Sequence, residues 1–339
     1  MKIVLDVMGG DRPVEEFVKG AVMAKRKFGV DLTLVGNDGE IRRSLKDAAA
    51  DAGEFDIVHC DDVVTMEDDP MSIVGKHNES SMARALKLVA DGKGDAVVSA
   101  GNTGALFTGA TLIERRIRGV RRAALAMVLP YENPVLLLDC GANVTVTPEY
   151  LVQFAYLGSI YMERVMKVKS PRVGLLNNGT EAHKGTPLLV ETHKYLKDAE
   201  QLNFIGNVEG KSVPFGACDV VVTDGFTGNI MLKTSEGMCK FVVKKIKHTL
   251  FDGVRGMLSA VLKGKDMEAL AKHFDAKEYG GAPFLGLSKP VIKAHGDSDA
   301  VAVCAAISQA KKYIESGVID EVTACVGRFP KFVPKAETV

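Results

Sequence analysis

The sequence predicts an α/β protein: a mostly parallel sheet with helices on both faces and a helical C-terminal extension. Three observations carry this. Short, near-continuous runs of Val, Leu and Ile recur along the chain, a pattern of strands covered on both faces. Amphipathic or Ala-rich stretches separate them, so strand and helix alternate. Turns rich in Gly, Thr and Asn follow several runs, at the carboxyl strand ends where parallel sheets bind ligands.

The predicted strands lie at residues 3–7, 32–36, 55–60, 95–100, 123–130, 134–141, 172–179, 203–210 and 218–225. Between them Val14–Phe28, Ser80–Asp91 and Pro148–Met166 read as helices. After Asn229 the character changes: 230–250 and 298–316 read as long helices. The stretch 251–274 is helix-prone, broken by glycines and apolar between lysines. A dimer face, a peripheral membrane contact and a packed helical hairpin fit that composition equally. With no repeat and no Pro/Ser-rich linker, residues 1–339 read as a single α/β domain, from which a helical segment over 240–275 protrudes.

The 339 residues carry a formal net charge of zero, so total charge gives no argument for nucleic acid, and a charged partner must meet a local patch. The six cysteines form no CxxC pair and read as buried thiols of a reducing compartment. The chain enters its first strand without a charged-then-apolar leader, and no run of about 18 apolar residues suggests a spanning helix. The expectation is a cytoplasmic protein.

Five strand-end turns gather the candidate chemistry: Asp6, Gly9, Gly10 and Asp11; Ser99, Gly101, Asn102, Thr103 and Gly104; Asp139 to Asn143; Asn177 to Thr180; and Asp224, Thr227, Gly228 and Asn229. Glycines let main-chain N–H groups approach an anion, hydroxyls add donors, and a following helix start adds partial positive charge. The turns are expected to share one edge of the sheet. There is no GxxxxGK[ST], no GxGxxG with its acidic partner, no HExxH and no GxSxG, so ATP, NAD, zinc and a serine nucleophile are all disfavoured. Cys140 has no evident His partner, so no covalent enzyme intermediate is suggested. Lys184, between a strand end and a proline-opened helix, could hold a phosphate dianion. His295 precedes another Gly/Ser turn and reads equally as a ligand contact or as packing at a helix start.

Ten blocks in order then carry a resemblance over almost the whole chain. They include DVMGGD (6–11), ESSMARAL (79–86, with Ser81), DAVVSAGNTGAL (95–106), LLDCGANV (137–144), PRVGLLNNGTEAHKG (171–185), DVVVTDGFTGNIMLKTSEG (219–237) and VIKAHGDSD (291–299). Together they resemble the PlsX-type phosphate acyltransferases of bacterial phospholipid synthesis. The resemblance implies a Rossmann-like homodimer related to isopropylmalate dehydrogenases and phosphotransacetylases, with no cofactor and no metal. It implies that an acyl carrier protein thioester and inorganic phosphate give acyl phosphate and free carrier. The product then feeds a glycerol-3-phosphate acyltransferase at the membrane, with which peripheral association is expected. By position, Lys184 and Asn229 match the residues linked to catalysis, Lys184 orienting phosphate and Asn229 supporting the oxyanion.

The acidic carrier calls for a basic surface, and Arg115, Arg116, Arg118, Arg121 and Arg122 offer one. Other readings remain: an acyl-CoA:phosphate transferase, a decarboxylating dehydrogenase of the same fold, and a non-catalytic membrane partner.

Overall fold

The computed structural model describes residues 1–251 and 280–330. The expected membrane or dimer segment over 240–275 falls outside them beyond residue 251. The predicted strands form as β1 (Lys2–Asp6), β2 (Asp31–Gly36), β3 (Asp56–His59), β4 (Ala96–Ser99), β5 (Ala124–Leu129), β6 (Val135–Leu138), β7 (Arg172–Asn177), β8 (Asn203–Glu209) and β9 (Val220–Val222). Two short strands that no apolar run had indicated, β10 (Ala282–Leu285) and β11 (Val291–Lys293), complete an eleven-stranded sheet.

Local chemistry sets the helix limits. Helix α1 (Val14–Phe28) opens behind Pro13 with Glu15 and Glu16 in its first turn. It ends with Lys25, Arg26 and Lys27 before Gly29, whose φ of 64° suits a left-handed cap. Helix α2 (Asp38–Asp47) is capped by the Asn37 side chain and α3 (Ser81–Ala90) by Ser80. Helix α4 (Thr103–Gly109) is capped by Asn102. Helices α5 (Pro148–Arg164) and α6 (Pro187–Lys197) each combine a threonine cap with proline in the first turn. Helix α7 runs over Gly225–Phe251, and α8 (Ala300–Glu315) and α9 (Val318–Cys325) follow β11.

The strand order is β3-β2-β1-β4-β11-β10-β5-β6-β9-β7-β8. From β3 to β11 every neighbour is parallel, as is every neighbour from β6 to β8. The junctions β11–β10, β10–β5 and β5–β6 are antiparallel. Three reversals in a row make the two parallel blocks run in opposite directions. The expectation that all the turns share one edge is therefore corrected: the β1, β4 and β11 turns leave one end of the sheet, and the β6, β7 and β9 turns leave the other.

Each face has its own apolar core. On one, Phe17, Val18, Phe154, Tyr161 and Ile307 cover the inward side chains Ile3, Leu5, Leu136 and Leu138. On the other, Met82, Leu86, Leu106 and Leu232 cover Val4, Val97, Leu137 and Val221. Covering both faces is why the strands read as continuous apolar runs.

Candidate active site

The ends of the two blocks meet across the central reversals in one cavity of about 950 Å³. Asp11, Thr103, Lys293 and His295 line it from the first block, and Cys140, Gly141 and Asn229 from the second. Leu125 and Met127 of β5 and Leu232 of α7 supply an apolar wall. A space of this size, apolar with a few convergent polar groups, fits a small-molecule site.

The first block is built on Asp6, which is fully buried at the end of β1. Its carboxylate accepts from the Ser99 hydroxyl at 2.7 Å and from the Met8 N–H at 3.2 Å. Burial pushes the Asp6 carboxyl up, against those hydrogen bonds. The Gly101 N–H donates back to Ser99 Oγ at 3.1 Å. Two main chains meet above this group: a Cβ on Gly9 would stand 2.7 Å from Asp6 Oδ2 and 2.9 Å from the Gly101 Cα. Gly10 packs against the Phe17 ring, and Ser81 is fully buried at the start of α3. Asn102 caps α4 through Ala105 N–H, and its amide donates to the carbonyls of Thr65, Met66 and Asp68. Gly104 packs on Pro70. These residues shape the turn, while Thr103 faces the cavity.

The second block is built on Asp139, fully buried at the end of β6. Its two oxygens accept from the N–H groups of Leu125, Gly141, Ala142 and Asn143 and from the Asn143 amide. Burial pushes this carboxyl up too, and the N–H donors pull it down. Asn143 also donates to the Ala123 carbonyl at 2.8 Å, so it ties the turn rather than facing the cavity. The Asp224–Asn229 stretch, expected to be a turn, is mostly the first turn of α7. Asp224 accepts from the Thr227 N–H and hydroxyl, both at 2.8 Å. Gly228 lies so close to β6 that an added Cβ would come 1.9 Å from the Asp139 carbonyl oxygen. That contact aims Asn229 into the cavity, beside Gly141, whose φ of 140° suits glycine.

Lys184 is not brought to this cavity. It stands exposed on the loop after β7, its carbonyl held by the Asn177 amide at 3.0 Å. Because β7 and β9 are parallel neighbours, it shares the sheet end of Asn229. The arginines do not line the cavity either. Arg116 donates to the Arg121 carbonyl, Arg121 pairs with Glu149 at 3.0 Å, and Arg122 lies over the Tyr150 ring.

Lys293 is the residue that sequence reasoning passed over. It ends β11, two positions before His295, and its ammonium donates to the carbonyls of Ala100 and Ala294. Burial pushes its pKa down from 10.5 to about 8. Its signal was present in VIKAHG, where a cation closes a strand just before a glycine turn. Lys233, one turn past Asn229, also lines the cavity and pairs with Glu236 at 3.1 Å. Among the described residues no cluster of His, Cys, Asp and Glu could hold a metal ion. Among them, too, no helix is long and apolar enough to cross a membrane.

Comparison with known proteins agrees with this architecture. Residues 1–321 match the family model described as "Fatty acid synthesis protein". A phosphate acyltransferase of Clostridium novyi is 41% identical over 324 residues, 95% of this chain and 97% of the relative. One of Oceanobacillus iheyensis is 42% identical over 328 residues, 96% of this chain and 97% of the relative. Among solved structures, a phosphotransacetylase from Streptococcus pyogenes superimposes with a TM-score of 0.64 at 17% identity, covering 94% of both chains. A branched-chain phosphotransacylase from Enterococcus faecalis gives 0.57 at 16% identity, covering 93% of this chain and 99% of the other. These two likenesses show the fold: a phosphotransacetylase-like α/β sheet.

Proposed function

Since the chain belongs to the fatty acid synthesis protein family, and is an acyltransferase alongside its phosphate acyltransferase relatives, we propose that it moves an acyl group from an acyl carrier protein thioester to inorganic phosphate. A phosphate oxygen attacks the thioester carbon, the new C–O bond forms, and the C–S bond breaks. The carrier thiolate leaves and takes up a proton. The observation that carries this reading is the cavity itself, where the Lys293 and Lys233 ammonium groups and Asn229 stand at an apolar wall. Thiolate is a good leaving group, so the chemistry asks mainly for positioned phosphate and donors at the oxyanion. Lys293 and Lys233 supply cations for the phosphate, and the Asn229 amide supplies a donor for the oxyanion.

Lys184 keeps a proposed role as the phosphate-orienting residue of a homodimer, where a second copy or a closed loop brings it to the cavity. Exposed Phe226, Ile230, Met238 and Phe241 on α7 give a second copy an apolar face to cover. The acyl phosphate is proposed to supply glycerol-3-phosphate acylation at the membrane, with the protein cytoplasmic and peripherally attached.

The test is to offer palmitoyl-carrier protein and palmitoyl-CoA with and without phosphate, and to quantify free thiol and palmitoyl phosphate. Phosphate-dependent release from the carrier is expected. Turnover of the CoA thioester alone would move the donor to CoA, and release without phosphate would reject the transfer reaction.

A further inference from the structure

The long helix α7 places a row of cations along the cavity. Lys233, Lys240, Lys244 and Lys247 all line it, at spacings of seven, four and three residues. Those spacings put them on one helical face. From Lys233 to Lys247 the row extends roughly 21 Å at the α-helical rise. Its inner end is one turn from Asn229. Lys233 also pairs with Glu236, whereas Lys240, Lys244 and Lys247 form no ion pair with a described residue. In a chain of zero net charge this is a concentrated local field.

A donor tethered to a protein must dock where its thioester can still reach the reacting centre. The lysine row satisfies that condition, since it leads along the cavity wall to Asn229. The arginines at 115–122 do not, because none lines the cavity and three of them, Arg116, Arg121 and Arg122, are engaged with neighbours. We infer that Lys240, Lys244 and Lys247 form the docking track for the acidic carrier protein that delivers the acyl thioester. This rests on the carrier-thioester reading above and locates its protein contact.

The experiment compares the Lys244→Glu/Lys247→Glu double variant with wild type on two donors: palmitoyl-carrier protein and palmitoyl-pantetheine, which lacks the protein. At low ionic strength, kcat/KM for the carrier should fall on the order of 30-fold, mainly through KM, as expected for removing complementary charge. Turnover of the pantetheine thioester should stay within about twofold, and the carrier deficit should shrink in high salt. The milder Lys244→Gln/Lys247→Gln variant should fall in the same direction by less, with an unchanged melting temperature. Unchanged carrier kinetics would overturn the assignment. So would an equal loss with both donors, or the same loss produced instead by Arg115→Glu/Arg118→Glu. If wild type cleaves pantetheine thioester with phosphate but ignores the carrier, the docking track fails while phosphate transfer stands. If wild type cleaves neither, the functional reading itself fails.

Discussion

The two halves of the cavity use the same device wired in two ways. Each ends a strand in a fully buried aspartate, Asp6 on β1 and Asp139 on β6. Asp6 accepts from the Ser99 hydroxyl and the Met8 N–H, with the Ser81 hydroxyl and the Gly9 N–H also lowering its pKa, in a place where two glycine backbones meet. Asp139 is satisfied by five N–H hydrogens and ties its own turn to the start of β5. A hydroxyl can reverse its direction, and a main-chain N–H cannot. The first half should therefore tolerate a neutral amide in place of its carboxylate, and the second should not.

The largest expected effects lie in the second half. In Asp139→Asn the new NH₂ must face N–H donors whichever way it turns, costing on the order of 3–5 kcal/mol as for a broken buried charge network. Denaturant midpoints would read this, and a loss no greater than that of Asp6→Asn would break the comparison. Gly228→Ala drives a methyl group into the Asp139 carbonyl, so α7 must shift. A loss of about 3 kcal/mol is expected, with a drop in turnover as Asn229 moves. Gly9→Ala presses on Asp6 and Gly101 at longer distances and should cost about 1–3 kcal/mol. Asp6→Asn can donate to Ser99 Oγ and still accept from Met8, so its cost should be about 1 kcal/mol.

A further effect on stability comes through pH. Lys293 is held down to about 8 from 10.5, so the folded chain gives up this proton first. Between those values the unfolded chain binds more protons, and stability rises with pH across that window, by at most about 3 kcal/mol. Lys293→Met should flatten that rise, as pH-resolved denaturant curves would show. Glu114 works with the opposite sign. Burial raises its carboxyl from 4.5 to about 8, so stability falls as pH climbs through that window. A Glu114→Gln protein should lose that fall, and an unchanged slope from pH 5 to 8 would contradict it.

The fold was legible wherever one strand's own residues decide its state. Helix α1 matches its predicted limits to the residue, and nine strands lie at their apolar runs. The short β10 and β11 were not legible, because three or four residues paired by their neighbours leave no run to read. Strand direction was also hidden, since neither composition nor periodicity records it. For that reason the turns were expected at one edge when they leave two ends. Within the site, Asp11, Thr103, Asn229 and His295 were readable and line the cavity. Asn102, Asn143, Asp224 and Thr227 look like ligand contacts in sequence but spend their polar atoms on caps and ties. Lys293 escaped notice because a lysine on a short strand is commonplace until its burial is known.

The most direct measurement is phosphate saturation of thioester cleavage in wild type, Lys293→Met and Asn229→Ala. The account predicts a KM for phosphate raised at least about tenfold in Lys293→Met, the scale of one lost charged contact. In Asn229→Ala it predicts a kcat lowered on the order of 100-fold with little change in that KM, the scale of one lost oxyanion donor. Wild-type kinetics in both variants would mean that phosphate meets the thioester somewhere other than this cavity.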